Sequence, residues 1–307
     1  MLEETDRIVA VVVTYNRKEL LNECLEALNA QIGGISISII VVDNNSSDGT
    51  REMVESTDNE RIMYYNTGKN LGGAGGFNYG IKRALEHGFT RLWLMDDDTI
   101  PDQDALIGLV RAEQRIGGEY GFLSSFAYWV DGSSCKMNYQ SFDIPRIWEC
   151  IDLLCDRALI PVKKASFVSL YLPAEIIRKV GYPISEFYIW LDDVEYTSRI
   201  SKRFPCYFVP CSRVLHKMGS NNQALIQTDS IDRMERYEYK YRNLYFIKRR
   251  DGRLWEYYYT MARDFYEIMR KGKCFRIKRV LTMIKGWKKG LLFRPIIEYD
   301  ESEINQE

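Results

Sequence analysis

Hydrophobic positions fall into short unbroken runs, each followed by a segment of helical period. Residues 7–14, RIVAVVVT, are a continuous β-branched run, the mark of a strand buried on both faces. In the next stretch, YNRKELLNECLEALNAQ, positions Leu20, Leu21, Cys24, Leu25 and Leu28 give one apolar helical face. Asn16 is the predicted N-cap, with Glu19 three residues on completing a capping box. A second buried strand, ISISIIVVD, ends in the turn NNSSDGT, and RIMYYN is a shorter strand. TGKNLGGAGGFNYGIKRALEHG reads as a glycine-rich loop feeding a helix that Gly88 terminates. RLWLM is a further strand, and DDDTIPDQDALIGLV a loop and helix. Strand-helix alternation over residues 7–110 predicts a mostly parallel, Rossmann-like α/β sheet covered by helices. Ligands of such sheets bind beyond the carboxyl ends of the strands.

The second half has a different texture. Residues 120–140 predict a hairpin around Asp131-Gly132. ASFVSLYLPAEIIRKVGYP then predicts a strand and a proline-marked helix start. From about residue 225 the pattern turns helical and rich in Tyr, Arg and Lys. The expected organisation is one α/β unit over 1–224, its halves about 1–118 and 119–224. A basic helical region, 225–297, and a disordered acidic tail, 298–307, follow it.

Composition narrows the classes. The 307 residues are 46% hydrophobic with a net charge of −1, which names no nucleic-acid partner. Seven cysteines lack CxxC spacing, so neither a zinc cluster nor a disulfide framework is expected. No window reaches the roughly 18 apolar residues of a membrane span, and the acidic start does not resemble a signal peptide. A cytoplasmic protein is expected. Charge is nonetheless uneven, with 18 Lys and Arg against 6 Asp and Glu between Arg233 and Lys289.

Three separate strands deliver polar groups to one sheet edge: Thr14, Asn16 and Arg17; Asp43 and Asn44; Asp96, Asp97 and Asp98. The aspartate triplet follows a buried run, where like charges repel unless a cation joins them. In an extended D-x-D, residues i and i+2 project together, so Asp96 and Asp98 can share one Mg²⁺ or Mn²⁺, with Asp97 turned towards a sugar or ribose hydroxyl. The bland reading is that Asp98 or Asp102 caps the next helix. In FYIWLDDVEYTSRI, Asp192 and Asp193 open a predicted helix, whose N-terminus favours an ionised carboxylate able to act as general base. An N-cap pair is the alternative. Phe187, Tyr188 and Trp190 in front of them suit a sugar platform. His216 is either a satisfied core histidine or a further ligand, and the residues alone leave that open. The glycine loop is not a P-loop, since no GxxxxGK[ST] follows; its glycines let backbone approach a phosphate or sugar.

Together, VVVTYNR, IIVVDNNSSDGT, NLGGAGGFNYGI, LWLMDDDTIP, FYIWLDDVEY, VLHKMG and YKYRNLYF resemble the family 2 glycosyltransferases, inverting enzymes of GT-A fold. The branch they resemble holds bacterial rhamnosyl- and galactofuranosyltransferases. The resemblance covers roughly residues 8–250. It implies that Thr14, Asn16 and Arg17 line the nucleotide pocket and that Asp43 binds uracil or ribose. Asn70 and the glycines after it, Gly73 included, would sit near the diphosphate. Asp96 and Asp98 would hold Mn²⁺ or Mg²⁺ with His216 as third ligand, Asp97 contacting the donor. Asp193 would be the catalytic base, with Trp190, Asp192 and Glu195 on the acceptor. An acceptor hydroxyl would then displace the nucleoside diphosphate directly, inverting the anomeric centre. Ser169 stands where many relatives have glycine, which would reshape the acceptor side. IWLDDVEY is closer to the galactofuranosyl type, favouring UDP-galactofuranose over dTDP-rhamnose, in surface-polysaccharide assembly.

The basic C-terminal segment mixes aromatic and apolar residues with Arg and Lys at helical intervals, a pattern that docks on anionic bilayers and would suit a polyprenyl-diphosphate-linked glycan acceptor. A homo-oligomer or intra-chain packing surface is the other reading. A sugar nucleotidyltransferase would carry a glycine/arginine/lysine signature after the first strand, which TYNRKELLNECL lacks. A non-catalytic binding module has no use for Asp192-Asp193.

Overall fold

The computed structural model describes residues 7–138, 140–142, 159–272 and 274–300. The first four long strands, β1 (Ile8–Thr14), β2 (Ile37–Asp43), β3 (Ile62–Asn66) and β4 (Arg91–Asp96), are parallel neighbours in the order β3-β2-β1-β4. Every β1 residue is buried, as its unbroken apolar run requires when helices cover both faces. The connecting helices are α1 (Lys18–Asn29), α2 (Thr50–Glu55) and α3 (Gly72–Glu86), with α4 (Ala105–Ile116) after the short β5 (Thr99–Pro101).

The second half extends the same sheet. β6 (Leu123–Tyr128), β7 (Ser141–Phe142), β8 (Ile160–Lys164), β9 (Leu170–Pro173) and β10 (Tyr207–His216) continue the order as β4-β9-β6-β10-β8-β7, with β5 on β10. β9 enters antiparallel between β4 and β6. The Asp131-Gly132 turn forms as expected, Asp131 Oδ1 accepting from Ser133 N at 2.9 Å. Helices α5 (Ala174–Val180) and α6 (Asp192–Ser201) lie in this half, and α7 (Met234–Arg250), α8 (Leu254–Lys271) and α9 (Arg276–Leu292) complete the chain.

Four expectations change. Asn16 does not cap α1: it has φ 52°, and the Lys18 amide is taken by Asp48 Oδ2 at 3.0 Å, because the β2–α2 turn lies closer to the helix start. The glycine-rich stretch is not a loop but α3 itself. A Cβ on Gly76 would come 2.5 Å from Val13 Cγ1, and one on Gly80 2.5 Å from Val11 Cγ1, so these glycines bring the helix onto the sheet. Ser169 does not face the cleft. At φ 106°, in the region that favours glycine, its hydroxyl accepts from Trp93 Nε1 at 2.8 Å and donates to Ser125 Oγ at 2.6 Å. Lastly, the start of the acidic tail is docked. Glu298 takes Lys82 Nζ at 2.7 Å and Asn78 Nδ2 at 3.0 Å, and its carbonyl accepts from Tyr182 N at 2.8 Å; residues 301–307 lie outside the described residues.

Candidate functional site

Register builds the site edge. Thr14 stands opposite Asp43, and Val13 opposite Asp96, so three strands end level. Beyond Asp96 the chain turns into β5, whose antiparallel pairing sets Thr99 against His216; Lys217 N also donates to Asp98 O at 2.8 Å. That pairing carries a histidine 118 positions away to the triplet. One ligand atom from each of Asp96, Asp98 and His216 lies within 4.8 Å of the others.

His216 Nε2 is 3.1 Å from Asp98 Oδ1. Asn138 gives its amide NH₂ to Ser166 Oγ at 2.9 Å and turns its carbonyl oxygen to His216 Nδ1 at 2.8 Å. With Nδ1 turned to Asn138, Nε2 is left facing a carboxylate oxygen. Asp98 Oδ1 is itself buried without a hydrogen-bond partner. The pair needs a positive charge between them, either a proton or a divalent cation. Two hard carboxylates and an imidazole oriented through its other nitrogen fit Mn²⁺ or Mg²⁺. Burial, reinforced by the neighbouring Asp98 charge, pushes Asp96 up to about 8. Burial also works against Asp98, but His216 and Arg17 outweigh it and hold that carboxyl below its ordinary value.

Asp97 does not project to a ligand. Its oxygens accept from Thr14 Oγ1 at 2.8 Å and Arg17 Nη1 at 3.1 Å, and the same guanidinium reaches Asp98 Oδ2 at 2.8 Å. Thr14 is buried beneath this network and orients Asp97, while Arg17 lines the cleft. Asp43 is equally occupied, accepting from Ser46 N and Oγ at 2.8 and 2.6 Å and from Tyr64 OH at 2.5 Å. Its partners Ser46 and Asn66 line a neighbouring open groove of about 680 Å³ with Lys18. Asn16 Oδ1 holds the rim of that groove through Ser47 N at 2.8 Å. Asn70 is exposed and turns the chain through Gly72 N at 2.8 Å; Gly73 lines the main cleft.

That cleft, about 650 Å³, is lined by Asp96, Asp98 and His216 on one side and by Trp190, Asp192 and Asp193 on another. The second group stands on a strained segment: Tyr188, Trp190 and Leu191 have φ of 62°, 68° and 66°, each costing of the order of 1 kcal/mol or more. The strain is over-determined from outside. Asn243 Nδ2 on α7 reaches Phe187 O, Ile189 O and Trp190 O at 3.0, 3.2 and 2.9 Å. Arg242 Nη2 reaches Glu186 O and Phe187 O at 2.6 and 3.0 Å. Gly72, at φ 70°, leaves room for Tyr188 O, which an added Cβ would meet at 2.1 Å. Burial raises Asp193 to about 6 against the pull of the Val194 amide. Burial and the adjacent Asp193 charge raise Asp192 to about 8.

Glu195, expected on the acceptor, is instead sealed in the protein. Its oxygens bind Arg199 Nε and Nη2, each at 3.0 Å, and Arg250 Nη1, tying α6 to α7. The Glu195–Arg199 spacing of four was the available signal. Asn138, and Arg242-Asn243 within YKYRNLYF, carry no local sequence signal of these contacts.

Residues 9–121 match the family model described as glycosyl transferase family 2. A galactofuranosyltransferase, GlfT1 of Mycolicibacterium smegmatis, is 40% identical over 100 residues, 33% of this chain and 32% of that protein's own length. Among solved structures, S. aureus TarS 1-349 superposes with TM-score 0.55 at 13% identity, over 96% of this chain and 97% of that one. GalNAc-T7 with UDP, GalNAc and Mn2+ gives 0.58 at 15% identity, over 70% and 44%. The fold is that of the GT-A glycosyltransferases.

Proposed function

We propose that this chain, which carries a glycosyl transferase family 2 domain over residues 9–121, is a divalent-cation-dependent inverting glycosyltransferase. One observation carries the reading: a single cleft brings together the Asp96–Asp98–His216 triad and the Asp192–Asp193 pair. A nucleoside diphosphate needs the first, and a hydroxyl that must lose its proton needs the second. Asp96, Asp98 and His216 would hold the cation, which when bound supplies charge to a departing diphosphate. Asp193, the more acidic of the pair, takes the acceptor proton; Asp192 beside it holds an acceptor hydroxyl, and Trp190 offers its face. Arg17 and Gly73 lie on the donor side, while Thr14 and Asp97 act through the network that fixes Asp98.

For the donor we infer UDP-galactofuranose, on the 40% identity to a galactofuranosyltransferase and the paired aspartates; dTDP-rhamnose is the second reading. Residues 1–224 would form the catalytic unit. In the following helices, Trp255, Tyr259, Tyr266, Ile277 and Leu292 are each more than 60% exposed among many Lys and Arg, which supports docking on an anionic membrane carrying a lipid-linked glycan acceptor. Among the described residues no helix is long and apolar enough to cross a membrane. The deciding experiment measures sugar release from UDP-galactofuranose, dTDP-rhamnose, UDP-glucose and UDP-galactose with Mn²⁺ and with EDTA. Turnover of one donor, abolished by EDTA, is expected; EDTA-insensitive turnover, or none with any donor, would refute the reading.

A further inference from the structure

Lys240 on α7 lines the cleft beside Trp190, Asp192 and Asp193. Its ammonium lies 5.4 Å from the ring centre of Tyr237 and 5.9 Å from those of Trp190 and Tyr241. Among the described residues it has no hydrogen-bond acceptor and no carboxylate partner, unlike its α7 neighbours Arg242, Lys248 and Arg250, which bind Glu186 O, Glu256 and Glu195. Aromatic faces stabilise a cation but leave the three N–H donors of an ammonium without acceptors.

The cleft acids do not answer that need. The charges acting on Lys240 are those of Asp264 and Arg263, and Asp264 is already held by Tyr241 OH at 2.8 Å and Arg263 Nη2 at 2.8 Å. Among the described residues no hydrogen bond or ion pair joins Lys240 to Asp96, Asp98, Asp192 or Asp193, although all five line the cleft. Burial pulls its pKa below that of an ordinary lysine, and an anion bound at the ammonium would offset that desolvation.

We propose that Lys240 forms a phosphate subsite at the aromatic end of the cleft, its ammonium donating to a phosphate of a bound substrate. This rests on the transferase reading, under which phosphate can come from the donor's diphosphate or from the second substrate. The test compares wild type, Lys240→Met and Lys240→Arg by calorimetry in Mn²⁺. The ligands are UDP, inorganic diphosphate, and inorganic phosphate added to the UDP-saturated protein; thermal melts check the fold. Lys240→Met is expected to weaken at least one ligand about tenfold or more, with Lys240→Arg restoring most of it. Weakened UDP and diphosphate assign the subsite to the donor; weakened inorganic phosphate with UDP unchanged assigns it to the second substrate. Equal binding of all three ligands by Lys240→Met and wild type would overturn the subsite. A wild type that binds diphosphate through Lys240 but does not bind UDP would overturn the donor reading alone.

Discussion

Asn243 holds Trp190 by its carbonyl oxygen at 2.9 Å, and so a helix some fifty residues downstream supports the segment that presents Asp192 and Asp193. Asn243→Ala should lower kcat roughly 10- to 100-fold, the range for a displacement of about 1 Å at the reacting groups. UDP affinity should remain within about threefold. If kcat holds while only the melting temperature falls, the contact supports folding and not the base.

Asn138 fixes His216 from behind. Its removal in Asn138→Ala should weaken Mn²⁺ about tenfold, as loss of an orienting partner does at other sites, measured by titrating the cation in calorimetry. His216→Ala should cost more. Unchanged cation affinity in His216→Ala would take that residue out of the site.

The two aspartates at the head of α6 make opposite predictions in activity and stability. With Asp193 near 6, a base must be ionised, so kcat should fall as pH drops through about 6, and Asp193→Asn should abolish transfer while retaining UDP. Asp192, raised by burial and the Asp193 charge to about 8, binds its proton more tightly folded than unfolded. Its stabilising contribution is therefore full below its unfolded value and is lost as pH rises towards 8. Asp192→Asn should gain melting temperature relative to wild type between pH 5 and pH 8; a constant difference across that range would contradict the buried placement.

Glu195 should matter to stability and not to the acceptor. Removing the acid from a buried cluster leaves Arg199 and Arg250 uncompensated, at a cost of about 3 kcal/mol. Glu195→Ala should melt several degrees lower, yet keep KM for the acceptor within a few-fold when assayed well below that temperature.

The exposed aromatic and aliphatic residues of α8 and α9 can be tested without truncation, which would also remove the docked residues 293–300. Trp255→Glu, Ile277→Glu and Leu292→Glu together should abolish flotation with anionic liposomes and leave the melting temperature unchanged. Undiminished flotation would favour a protein partner for that face, a second copy included.

How much of this was legible depended on whether the signal was local. The buried strands, and the position of the triplet at the end of β4, are legible because a run of Val and Ile has one good use, and its end has a fixed place in a parallel sheet. The place of Asp192 and Asp193 at the head of α6 is legible as charge at a helix start. His216 could not be joined to Asp98 from the residues alone, since the link is the pairing of β5 with β10. The role of Asn243 was likewise invisible: a polar residue inside a helix gives no hint that it serves three carbonyls of another segment. Asp97 and Glu195 look available in the sequence, whereas the fold pairs each with arginine.

Glu298 meets Asn78 and Lys82 across 220 and 216 positions of sequence, and beside it Ile297 and Phe293 pack on the cluster that contains Phe187. The last described segment thus packs back against α3 and the stretch from Tyr182 to Phe187. Contacts of such long range form late and slowly. During translation the sheet can assemble while α7 is still being made, but the clamp on residues 182–188 cannot form until residues 293–298 have cleared the ribosome. The nascent chain can therefore complete its sheet before the segment leading to Asp192 and Asp193 is clamped from this side.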